Sequence, residues 1–181
     1  MSTPTLIPSP EIISFVLDER GFFPNNPNLP VLIYRSVWEG EGERAGAFES
    51  RFRTNEWGGC WRNGIYTYHH YHSTAHEVLG IAAGRVRVRL GGDEGRTCEL
   101  DEGDAAVLPA GVAHKNLESS SNLLVIGAYP PGQQWDMNYG REGELSQARH
   151  NVAVVDPPPS DPLYGPSGPL MDVWEDAGED A

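Results

Sequence analysis

Six residues of this chain, Arg85 to Leu90, alternate strictly: Arg85, Arg87 and Arg89 share one parity, and Val86, Val88 and Leu90 share the other. Successive side chains of a strand point to opposite faces, so this run predicts a strand with one wet face and one dry face. Its surroundings repeat the theme in short pieces. Glu77–Ala83 comes before it, ended by Gly84, and the loop Gly91–Gly95 follows. Thr97–Leu100, Ala105–Leu108 and Leu123–Ala128 come next, separated by turns at Asp101–Asp104 and Pro109–Gly111. Strands this short, with turn signals about every 8–12 residues, predict an all-β barrel or sandwich.

The flanks are less regular. Glu11–Leu17 (EIISFVL) is a β-like run, Phe22–Pro30 is expected to be irregular, and Val31–Tyr34 is either a strand or the approach to a helix. Between Gly40 and Arg53, Ala45, Phe48 and Phe52 recur at helical spacing, which predicts a short amphipathic helix. The aromatic run Ile65–His72 has no Pro or Gly inside it and predicts a strand carrying Tyr66, Tyr68, His70 and His72 on one face. A helix is expected from Glu142 to about Asn151. The Pro-rich, acidic segment 156–181 is expected to be an extended arm with an acidic tip. Residues 1–56 then form N-terminal strands and a helix packing on a barrel, 57–130 the barrel core, and 131–181 a C-terminal extension.

A chain of 181 residues suits one domain. Its 21 Gly and 15 Pro favour turns over long helices. The formal charge of −13 leaves no basic cluster to neutralise phosphates or an anionic bilayer, so neither a nucleic-acid nor a membrane partner is expected. Met1-Ser2-Thr3-Pro4 lacks the basic and apolar regions of a secretory signal, which predicts a cytoplasmic protein. In that compartment Cys60 and Cys98, far apart and without C-x-x-C spacing, are expected to be free thiols.

Four of the six histidines, His69, His70, His72 and His76, lie close together. On a strand, His70 and His72 share a face, and Glu77 at the start of the next strand can return a carboxylate to the same space. Two imidazoles and a carboxylate are common ligands for Fe, Mn, Ni, Co or Zn. His69 has the opposite parity and points away, while His76 in the turn is open to a role beside the metal or in solvent.

The spacing carries a resemblance. Gly64, His70-x-His72, Glu77 and Gly84 resemble the first motif of the cupin superfamily, and Gly103, Pro109-x-Gly111 and His114 resemble the second. One position departs: the family's asparagine four residues after the second-motif histidine is Glu118 here, with Asn116 nearby. The runs HHYHSTAHEVLGIAAGRVRVRLGG, PAGVAHKNL, GAYPPGQQWD and DPLYGPSGPL look like the YjlB-type cupins over most of the chain. The resemblance implies a jelly-roll-type β-barrel with short flanking helices. It also implies one divalent transition metal held by His70, His72, Glu77 and His114.

Three neutral imidazoles and one carboxylate leave about one positive charge on such a site and two adjacent open positions. A small anionic substrate that binds in bidentate fashion is therefore expected: an organic acid or a diketone. Glu77 is the candidate base, with Tyr68 and His76 as further proton-moving groups. Tyr66, Tyr68 and Arg62 are candidates for contacting substrate. The leading expectation is a dioxygenase-type oxidoreductase. The alternatives are a non-redox isomerase, cyclase or decarboxylase, and a binding cupin without catalysis. Exposed barrel edges favour a homodimer.

Overall fold

The computed structural model describes residues 3–179; Met1, Ser2, Asp180 and Ala181, and with them the last residues of the acidic tip, lie outside the described residues. Eleven strands and three α-helices follow in the order β1 (Thr5–Leu6), β2 (Glu11–Leu17), β3 (Asn26–Arg35), β4 (Trp38–Glu39), α1 (Arg44–Thr54), β5 (Gly58–Asn63), β6 (Glu77–Ala83), β7 (Arg85–Leu90), β8 (Arg96–Asp101), β9 (Ala105–Leu108), β10 (His114–Ser119), β11 (Leu124–Tyr129), α2 (Leu145–Val154) and α3 (Pro169–Glu179). All named pairings are antiparallel. A six-stranded sheet runs β2-β3-β9-β6-β11-β5, a three-stranded sheet runs β10-β7-β8, and β1 pairs with β4. The result is the jelly-roll-type β-fold expected of a cupin.

The alternating strand behaves as its sequence demands. Val86, Val88 and Leu90 are buried, and they meet Cys98 and Leu100 of β8 and Val31, Ile33, Leu79 and Ile81 of the large sheet. That layer is the inside of the barrel. The other face of the large sheet is also dry: Leu32, Tyr34, Val78, Val107 and Ile126 pack on Phe48 and Phe52 of α1 and on Leu163, Leu170 and Trp174. Burial on both faces explains why Val31–Tyr34 and Glu77–Ala82 show no polar alternation; every residue in them is buried. Helix α1 comes so close to β6 that a Cβ on Gly80 would sit 2.7–2.9 Å from the Phe48 ring.

Three expectations are corrected. Asn26–Pro30 belongs to β3 rather than to an irregular stretch. Its register against β2 jumps from Phe15↔Val31 to Leu17↔Asn26, so the two prolines sit where the ladder needs no donor. Ile65–His72 is not a strand. It is a strip at the open end of the barrel, tied to β10 through Tyr66–Asn116 and His70–His114 and to Asn138 through Tyr71. A β-bulge in β10 separates Asn116 from Glu118, the place where the sequence departs from the cupin motif.

The segment expected to be an extended arm is instead docked. Leu163 and Leu170 are fully buried, and the Trp174 indole N–H donates to the Pro30 carbonyl at 2.9 Å. Asp161 anchors it, accepting the Tyr34 hydroxyl at 2.7 Å and the backbone N–H groups of Leu163, Tyr164 and Leu170. Among the described residues no helix is long and apolar enough to cross a membrane.

Candidate metal site

The site lies at the open end of the barrel, where β6 begins, β10 begins and the strip 65–72 crosses between them. Glu77 is the first residue of β6 and is buried together with His72 and His114. Glu77 Oε2 lies 3.5 Å from His72 Nε2 and 3.4 Å from His114 Nε2. Ligand atoms of these three residues all fall within 4.8 Å of one another. Among the described residues Glu77 Oε2 has no hydrogen-bond partner, although a buried carboxylate oxygen ordinarily demands one. A cation held between the three groups would meet that demand.

The tautomers fit the same purpose. His72 Nδ1 donates to the Asp136 carbonyl at 2.5 Å, and His114 Nδ1 to the Val112 carbonyl at 3.1 Å. A carbonyl only accepts, so each neutral ring carries its proton on Nδ1 and presents a lone pair at Nε2. His70 follows the rule, with Nδ1 donating to the Tyr68 carbonyl at 3.1 Å. Its ring packs 4.1 Å from that of His114 and lines the same cavity, outside the tight group of three.

Charge follows from burial and proximity. Burial pushes the His114 imidazole down to about 3 and lowers His70 as well. Burial also opposes the charged form of His72, yet the Glu77 carboxylate outweighs it and the ring is raised. For Glu77, burial works upward and loses to the imidazoles of His72, His114 and His70, so the carboxyl is held below its ordinary value. Glu77 is thus an anion at the bottom of the site.

Above these groups is a cavity of about 220 Å³ with predominantly aromatic and aliphatic walls, among them Trp61, Ile65, Tyr66, Leu79, Tyr129 and Trp135. Gly127 makes room for one wall: any Cβ there would overlap the Trp61 indole. The Trp61 Nε1–H in turn donates to the Tyr129 hydroxyl at 3.0 Å. Burial, and then the charge of Glu77, push the Tyr129 phenol well above its usual value.

The remaining sequence candidates are placed as follows. Tyr66 lines the cavity; Tyr68 stacks on it at 4.9 Å and lies outside the lining. Arg62, expected to point inward, is at the rim with its side chain about half exposed. Its Nε lies 2.8 Å from Glu49, and Glu43 is 3.8 Å from its Nη1. His76 turns away from the cavity. Its Nδ1 accepts the Ala110 N–H at 2.8 Å, its ring packs 4.7 Å from Trp174, and burial lowers it to about 4. It therefore carries the tautomer opposite to His70, His72 and His114. His69 also points away, to Asp93 at 3.0 Å. Cys60 and Cys98 are free.

No family model matches the chain. The uncharacterised protein YjlB of Bacillus subtilis (strain 168) is 34% identical over 164 residues, which cover 91% of this chain and 97% of the relative. The chain belongs to the YjlB family. Solved structures similar to this chain include a DUF861 family protein from Thermotoga maritima, at 21% identity and a TM-score of 0.33, covering 54% of this chain and 96% of that one. Another is an acireductone dioxygenase from Bacillus anthracis with a cadmium ion in its active centre, at 15% identity and a TM-score of 0.38, covering 52% and 63%. The family assignment rests on the Bacillus subtilis relative.

In this YjlB family member, sequence reasoning missed Trp61, Leu79 and Tyr129 among the residues of the cavity wall. Leu79 had a signal, since it shares parity with Glu77 on β6. Tyr129 had none.

Proposed function

We propose that this protein is a metal-dependent cupin enzyme of dioxygenase type, in which His72, Glu77 and His114, with His70 beside them, hold one divalent transition metal. The observation that carries the reading is the unpartnered Glu77 Oε2, facing the Nε2 atoms of two rings whose Nδ1 protons are already committed. When bound, the ion would supply the Lewis acidity that grips two adjacent oxygens of a substrate and, if redox-active, the electron transfer that dioxygen chemistry needs.

The chain's own residues do the rest. Glu77 anchors the site and provides the carboxylate toward which a substrate proton can move. Tyr129, which keeps its proton, is the hydroxyl beside Glu77 that can donate a hydrogen bond to a substrate oxygen, a position that Tyr68, stacked on Tyr66 outside the cavity lining, does not share. The apolar walls exclude water and so strengthen the electrostatics below them. Arg62 is engaged by Glu49, so the charge that attracts an anionic substrate is that of the metal site.

The test is metal content by mass spectrometry on protein purified without chelators, beside His72→Ala. About one Fe, Mn, Ni or Co per chain, lost in the variant, supports the reading, and oxygen uptake with keto acids and diketones follows. Activity with zinc and without oxygen would select a non-redox isomerase, cyclase or decarboxylase. No metal in either protein would leave a binding scaffold.

A further inference from the structure

The cavity also constrains what the chelating group is attached to. Among the described residues lining it, Arg62 is the one Lys or Arg, and its guanidinium is about half exposed and engaged by Glu49 and Glu43. A second carboxylate on the substrate would thus enter an apolar chamber with no free cation to meet it, which is costly. The walls offer flat faces instead. Trp135 is half exposed, 5.4 Å from the His72 ring and near-parallel to Tyr129 at 6.1 Å and 25°. Tyr66, another lining residue and also half exposed, stands edge-on to His70 at 5.1 Å. Exposed aromatic surface gathered at the rim of a cavity is a mark of ligand contact. Size sets a further limit. A cavity of about 150 Å³ is known to hold benzene, so about 220 Å³ accommodates one ring and two oxygens inside the site.

We propose that the ligand is a single-ring planar aromatic compound bearing two adjacent oxygens, its ring against the exposed aromatic faces of the rim, Trp135 foremost, and its oxygens toward the metal. The inference rests on the metal-dependent reading above. It disfavours aliphatic dicarboxylates, whose far end would have no partner.

Two chelators with the same hydroxamate head separate the ring's contribution from the metal's. Zinc is loaded first and its uptake measured by equilibrium dialysis; benzohydroxamate and acetohydroxamate are then titrated by calorimetry. The phenyl compound is expected to bind about tenfold or more tighter. Trp135→Ala should cut that ratio by about tenfold and Trp135→Phe should restore most of it. A zinc-loaded protein that binds both alike, or a ratio that survives Trp135→Ala, overturns the inference and leaves the metal reading standing. A chain that takes up no zinc overturns both.

Discussion

The Asp136 backbone carbonyl receives the Nδ1 proton of His72, and the carboxylate of the same residue takes the N–H and hydroxyl of Ser73. One residue therefore fixes both the tautomer of a candidate ligand and the backbone just beyond it. Asp136→Ala keeps the carbonyl that sets the tautomer and removes the carboxylate that holds Ser73, so it is expected to weaken zinc binding by up to about tenfold through the backbone beside His72. A competition assay with a chromophoric chelator measures this, and an unchanged affinity would show that the Ser73 contacts do not help to place His72.

The three converging groups and His70 should separate by degree. Glu77→Gln and His114→Ala are each expected to abolish stoichiometric metal, because each removes a member of the group whose ligand atoms lie within 4.8 Å. His70→Ala should weaken binding by a smaller factor. If His70→Ala empties the site as completely as His114→Ala, then His70 is a full fourth ligand.

Tyr34 ties the C-terminal segment to β3 through Asp161, and burial followed by the Asp161 charge raises its phenol far above the ordinary value. A raised pKa stabilises the fold fully below the unfolded value, about 10, and the contribution fades above it as only the unfolded chain loses its proton. Tyr34→Phe should cost about 1.5–3 kcal/mol at pH 8, since the bond is to a buried acidic group. At pH 11 the gap to the wild type should shrink by about 1.4 kcal/mol. Urea unfolding at both pH values decides it; an equal gap would show that Tyr34 does not titrate as described.

Leu163 is fully buried against the outer face of the large sheet. Leu163→Ala is expected to lower stability by about 2–5 kcal/mol. A loss below about 1 kcal/mol would mean that the segment contributes little to the core, as an extended arm would.

The parts of this molecule that could be read from sequence are those with a local signal. The dry face of Val86, Val88 and Leu90 follows from period two, and the limits of Glu77–Ala83 and Ala105–Leu108 follow from the turn residues that bound these apolar runs. The histidines were legible for a different reason: His70 and His72 face one space while Tyr71 is buried on the other side, so their alternation survives without a strand. What could not be read depends on distant partners. Arg62 has the right parity, but Glu49 lies a helix away and takes its charge. His76 has no local mark that distinguishes it from His72, since the Ala110 N–H that sets its tautomer arrives from another loop. The Pro-rich segment after Asp156 looks unable to pack on its own composition. It is the exposed apolar face of β3 and β6, seen only once the sheet exists, that gives Leu163, Leu170 and Trp174 somewhere to go.

The bond between Tyr34 and Asp161 spans 127 residues, and this separation sets a schedule for synthesis. At about 5–20 residues per second, β3 emerges on the order of ten seconds before its outer cover exists. During that interval the nascent chain shows an oily β-surface to the cell. A chaperone that binds extended apolar peptide, or slow translation before Asp161, would change the yield of folded protein while leaving the finished molecule the same.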